Sequence, residues 1–273
     1  MNYGRGFVYS AKKQYLCQRI QCRLSRERMT SVYTIIFAAV LPAFLLVLYI
    51  WCKDKYDREP FSQIVKGMFY GVLSAGIAYC LEVGVQVFGL APDEPQSFLQ
   101  AVWKAFVGAA IPEEFAKLLM LWLLVRHNRH FNERFDGIVY ACCVGMGFAA
   151  TENLIYLFSN MSAWEGVAVQ RAIFAVPGHF LFAVAMGYFY AMVYFGDINW
   201  HKRNRIFWVP VLLHGTYDSL LFMVNLGTIL SGVLLIVFYV FCWKMLKYGR
   251  RRIRENMERD RQDPNQIAYW KKR

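Results

Sequence analysis

The chain has 273 residues, of which 57% are hydrophobic, 17% aromatic and only 18% charged, with a formal net charge of +12. A soluble domain of this length needs a larger charged surface, so the composition excludes an ordinary globular protein, and the mean hydropathy is positive. The basic residues are divided among loops, which assigns them to membrane topology and contact with anionic lipid and excludes a nucleic-acid partner.

The first 28 residues form a basic segment, with Arg5, Lys12, Lys13, Arg19, Arg23, Arg26 and Arg28 against one acid, Glu27. Seven apolar runs follow, at approximately 31–52, 64–88, 99–125, 137–158, 171–195, 206–224 and 228–247. Each approaches the roughly 20 residues that a helix needs to cross a bilayer core of about 30 Å. Backbone groups in lipid must be satisfied within the segment, and the runs lack the alternation of a barrel. The predicted fold is therefore all-α, a polytopic transmembrane helical bundle of about seven spans. Its expected organisation is a basic N-terminal segment at 1–28, a multi-span domain at 29–247 and a basic cytoplasmic tail at 248–273. Trp51, Trp103, Trp122, Trp164, Trp200, Trp208 and Trp243 fall near span ends or in loops, as interfacial rings do.

Loop charge predicts the orientation. The 126–135 loop carries Arg126, Arg129 and Arg134, the 196–205 loop carries Lys202, Arg203 and Arg205, and the tail is richer still. All three are expected in the cytoplasm, which makes this a multi-pass cell-membrane protein with a cytoplasmic C-terminus. The 89–98 and 159–170 loops carry only acids and are expected outside. The alternation puts the N-terminus outside too, against the charge of residues 1–28. A start at Met29, directly before the first run, removes that conflict. The seven cysteines (17, 22, 52, 80, 142, 143 and 242) show no CxxC spacing and no outward framework, so packing is their expected role.

Ionisable side chains inside spans cost about 2.5–3.5 kcal/mol each even on translocon scales, and this chain has many. The third run holds Glu113, Glu114 and Lys117, the fourth Glu152 and Asn153, the fifth Arg171 and His179, and the sixth His214 and Asp218. Glu113 and Lys117 share a helix face at i,i+4, as do His214 and Asp218. Pro112 and Pro177–Gly178 stand just before Glu113 and His179, and a proline in a span kinks the helix and helps open a polar cavity. Counting about 1.5 Å per residue, Glu113, Glu152, His179 and His214 lie roughly 8–20 Å below the outer surface, where one cavity can collect them. Lys117 reads equally as a helix-locking ion pair and Asn153 as an interhelical hydrogen bond. Arg171 reads as an interfacial anchor and Glu82 as a solvated or structural carboxylate.

Carboxylates beside histidines can activate water in two ways. A glutamate can act as general base while His and Asn polarise the carbonyl, or Glu113, Glu114, His179 and His214 can hold a metal such as zinc. The lack of an i,i+4 His pair favours the first. HExxH, an intramembrane GxSxG and a paired GxGD are all missing. A proton- or ion-coupled transporter is the alternative of a different class, although no internal repeat supports it.

PEEFAK (112–117), GFAATENLIY (147–156), the segment from Arg171 to His179 and HGTYD (214–218) together resemble the PrsW family of bacterial intramembrane proteases. KDKYDREP (53–60) and FDGIVYA (135–141) add to the likeness, which runs from about residue 30 to 247. The resemblance implies endoproteolysis of a single-pass membrane protein, with a first, extracytoplasmic-side cut in an anti-sigma factor. It carries over Glu113, Glu114, Glu152, His179 and His214 as essential positions and Lys117, Asn153 and Asp218 as supporting ones. The family is also similar to the prenyl-protein-processing membrane proteases and their EExxxR-type motif. Lys117 replaces that pattern at a different spacing, so prenylated substrates do not carry over.

Overall fold

The computed structural model describes residues 32–54 and 57–262. Residues 1–28 and the end of the tail lie outside them. Seven helical rods make up the described chain: α1 (Val32–Lys53), α2 (Phe61–Val87), α3 (residues 98–125), α4 (Arg134–Ser159), α5 (Trp164–Tyr194), α6 (Arg205–Asn225) and α7 (Ser231–Gln262). Six of them are long and apolar enough to cross a membrane. The seventh, α3, carries Lys104, Glu113, Glu114 and Lys117, which are too many charges for a composition criterion. The seven expected spans thus correspond to the seven rods. The last is longer than its apolar run, because the helix passes residue 247 and continues unbroken to Gln262, the last described residue.

Burial separates two central rods from the rest. The most apolar windows of α4 and α5 are 78% and 72% buried, against 17–33% for α1, α2, α6 and α7, whose remaining apolar surface suits lipid. Helices α2, α3, α6, α5 and α4 pack in succession and close into a ring, with α7 against α5 and α6. Small residues set the closest crossings: a Cβ on Gly147 would lie 2.1 Å from the Met68 carbonyl oxygen, and one on Gly187 would lie 2.2 Å from that of Gly137. Lipid gives helices no hydrophobic reason to associate, so such close backbone approach, with its dispersion contacts, does that work.

Two rods change their winding partway. In α3, residues Lys104–Ala110 form a π-helical stretch between Phe98–Trp103 and Ile111–Val125, and the Ile111 N–H reaches back to the Phe106 carbonyl. In α5, Arg171–Ala175 do the same, with the Val176 N–H on the Arg171 carbonyl. Each stretch ends just before a proline, Pro112 or Pro177, whose ring and missing N–H disfavour an ordinary preceding turn. A π turn adds a residue and so rotates everything after it by about 100° around the axis.

At the end of the bundle carrying the arginine-rich loops, α7 locks onto α4. The Asp260 carboxylate accepts from the Arg134 and Phe135 amides at 3.0 and 2.9 Å, and Asn256 Nδ2 donates to the Arg134 carbonyl at 3.0 Å. These contacts satisfy orphan donors of the first turn of α4 from a distant part of the chain. Nearby, the turn after α1 is pinned by Glu59: Trp51 Nε1 donates to its carbonyl at 2.8 Å, and the Tyr140 hydroxyl donates to Glu59 Oε2 at 2.5 Å.

Candidate active site

The two π stretches aim the chemistry. Directly after the first, α3 presents Glu113 and Glu114, and shortly after the second, α5 presents His179; His214 comes from α6 and Glu152 from α4. One ligand atom each from Glu113, His179 and His214 lies within 4.8 Å of the others, and all three residues are buried. Four consecutive rods thus bring the five candidate residues together.

The contacts sort them into roles. Lys117 Nζ lies 2.9 Å from Glu113 Oε2 and 2.8 Å from Glu114 Oε1, so one ammonium serves both carboxylates, where the i,i+4 spacing suggested only one. It also stands 3.4 Å from His179 Nδ1 and over the Phe148 ring at 3.9 Å. His214 Nδ1 is 3.0 Å from Glu114 Oε1, and its Nε2 is 3.2 Å from Asp218 Oδ2. His179 Nε2 is 2.8 Å from Glu152 Oε2. Each imidazole is therefore backed by a carboxylate, and Phe182 stacks on the His214 ring at 4.7 Å.

A cavity of ≈ 540 Å³ lies inside the helical ring and is lined by Glu113, Glu152, His179, His214 and Asp218 among others. It extends to the ends of α2 and α4, where Gln86 and Asn160 are exposed. Glu114 is fully buried behind it and outside the compact Glu/His group.

The donor set fits a metal ion. Two histidines and one glutamate around an open cavity are a composition found in catalytic zinc sites, and the carboxylates behind His179 and His214 are the outer partners that metal-bound imidazoles use. The lack of an i,i+4 His pair argued against a compact site only within one helix. Here the donors converge from α3, α5 and α6, which no local spacing could reveal.

One expectation needs correction, that for Arg171, and Asn153 takes the interhelical one of its two readings. Asn153 does not line the cavity: its Nδ2 donates to the Ala39 carbonyl of α1 at 2.9 Å, and its Oδ1 accepts from Arg171 Nε at 2.6 Å. It cannot polarise a substrate carbonyl from there. Arg171 is not an interfacial anchor, because its Nη2 also donates to Glu152 Oε2 at 2.6 Å while the guanidinium packs over Tyr156 at 4.1 Å. Its cost inside a span was the available signal, but the partner was not legible. Glu82, read as a solvated or structural carboxylate, lines the cavity half-buried.

An all-helical membrane bundle around a buried carboxylate–histidine cluster defines a multi-pass membrane protein with ionisable side chains gathered within its spans. The chain belongs to the PrsW family of intramembrane proteases: residues 59–245 match the sequence pattern described as PrsW family intramembrane metalloprotease. It is 31% identical over 211 residues to Protease PrsW of Clostridioides difficile (strain 630), covering 76% of this chain and 86% of that relative. It is 33% identical to Protease PrsW of Geobacillus kaustophilus (strain HTA426), over 70% and 80% of the two chains. For Protease PrsW of Bacillus subtilis (strain 168) the figures are 32%, 78% and 92%. No solved structure matches the chain. It is a membrane protease, and the family description supports a metal.

Proposed function

We propose that the chain is an intramembrane endopeptidase that cuts a single-pass membrane protein, of the anti-sigma-factor kind that the family resemblance implies, close to the extracytoplasmic face. The observation that carries this is the Glu113, His179 and His214 group at the wall of a cavity that a peptide segment can enter. The cavity extends toward the 89–98 and 159–170 loops, the ones expected outside from their lack of basic residues. On this reading 29–247 is the protease domain, and 248–273 lies on the cytoplasmic side, at the anionic lipid surface.

Glu113, His179 and His214 would hold a divalent ion, zinc by the donor chemistry, with Glu114 as an outer partner. Such an ion supplies Lewis-acid activation of water and of the scissile carbonyl. The remaining roles fall to the chain itself. Glu114 holds His214 at Nδ1 and Glu152 holds His179 at Nε2, while Asp218 stands at the other His214 nitrogen, the one it would give up to the ion. Lys117 offsets the charge of the two adjacent glutamates where lipid and protein exclude water. Glu152 and Asp218 line the cavity and can accept the proton released by the attacking water and return it to the departing amine. The walls exclude bulk solvent from the cut.

The test is co-expression with a tagged single-pass substrate. Glu113→Gln is expected to abolish clipping while leaving the protein in the membrane. Undiminished clipping by that variant would remove the protease site from this cavity.

A further inference from the structure

Five carboxylates stand in or directly behind the cavity, and four have partners. Glu113 and Glu114 share Lys117, Glu152 has Arg171 and His179, and Asp218 has His214. Glu82 is the fifth. It lies on α2, half-buried, in the cavity wall and within electrostatic reach of Glu113, Glu152, Lys117 and His214. Among the described residues it makes no hydrogen bond and no ion pair.

A carboxylate on a membrane span without a partner is costly and does nothing for packing. Two of its nearest charges, Glu113 and Glu152, are like charges already matched by Lys117 and Arg171. That leaves Glu82, on the α2 side of the cavity, as the one carboxylate of the five without a basic partner. The same face carries Ala75 and Ala78 at depth, then Tyr79, Glu82 and Gln86 towards the exposed end. Spacings of three and four residues align them in one strip along α2. The two alanines pack against Ala116 and Phe148 at the inner end of the strip, and the polar residues follow it outward along the cavity.

We infer that Glu82 is a specificity-determining residue that receives a lysine or arginine side chain of the substrate next to the scissile bond. This rests on the protease reading of the same cavity. A charge-assisted hydrogen bond of this kind corresponds to a preference of roughly 10- to 100-fold in kcat/KM.

The experiment uses the full-length protein co-expressed with a panel of single-pass reporters that share one apolar span. The segment just outside that span carries Lys, Gln or Glu scanned position by position. The wild type is expected to clip one register of Lys reporters about 10- to 100-fold better than the Gln series, and the Glu series least. Glu82→Gln should clip Lys and Gln reporters alike, and Glu82→Lys should reverse the order in favour of Glu. Clipping that depends on Glu113 but keeps its lysine preference in Glu82→Gln overturns the inference alone. Clipping that persists in Glu113→Gln overturns the protease reading beneath it.

Discussion

His214 Nδ1 lies 3.0 Å from Glu114 Oε1, a carboxylate that no solvent reaches and that the same Lys117 ammonium holds at 2.8 Å. Glu114 therefore orients the imidazole from behind, while its neighbour Glu113 faces the cavity. Outer partners of this kind are worth about 10- to 100-fold in metal affinity or activity. Glu114→Gln keeps an acceptor for His214, so activity is expected to fall within that range without being abolished. Glu113→Gln should leave none. Equal residual activity in the two variants, measured on purified protein with its metal content, would contradict this division of roles.

Arg171 spans two acceptors at once, Glu152 Oε2 and Asn153 Oδ1, each at 2.6 Å. A lysine is a point donor without the planar fork, so it does not reproduce the two directed contacts that Arg171 makes from separate nitrogens. Arg171→Lys is expected to lower kcat about tenfold with little change in KM, because Glu152 then holds His179 less firmly. Arg171→Gln should do worse. A change confined to KM would instead place Arg171 among the groups that touch substrate.

Much of this site was legible because its members are expensive where they sit. Glu113, Glu114, Glu152, His179 and His214 stood out as ionisable residues in apolar runs, and the runs themselves marked the seven rods. What stayed hidden depends on tertiary geometry. Pro112 and Pro177 marked where α3 and α5 depart from regular winding, but no local pattern states that the departure is a π stretch. Partners across helices, such as Arg171 with Glu152, are non-local, and spacing rules see only one helix at a time. The final helix outran its apolar run because Arg251 and Glu255, or Arg252 and Glu255, pair along its surface at i,i+4 and i,i+3 spacing. A hydropathy window records such residues only as polar.

The crossing of α2 and α4 supplies a stability test with its own control. A Cβ on Gly147 would meet the Met68 carbonyl oxygen at 2.1 Å, whereas one on Gly76 of α2 meets nothing within 4 Å. Gly147→Ala is expected to destabilise the bundle by about 1–3 kcal/mol through overpacking against backbone. Gly76→Ala should be neutral or slightly stabilising, since alanine suits a helix better than glycine by about 1 kcal/mol. Thermal unfolding in detergent distinguishes them, and equal midpoints would show that the two helices can move apart freely.

Glu59 predicts a pH dependence separate from catalysis. Burial, reinforced by the charges of Asp54, Asp57 and Glu133, pushes its carboxyl up to about 8 from an ordinary 4.5, against the opposing effect of the Tyr140 hydrogen bond. Within that window the folded protein keeps a proton that the unfolded chain releases. The contribution to stability is complete below the ordinary value and is lost as pH rises towards the upper one. The unfolding midpoint of the wild type should therefore decline between about pH 5 and about pH 8 and level off above it. Glu59→Gln retains an acceptor for Tyr140 but cannot ionise, so its midpoint should decline less over the same range. Parallel decline in the two proteins would assign the effect to other groups, and the turn after α1 would then not respond to pH through Glu59.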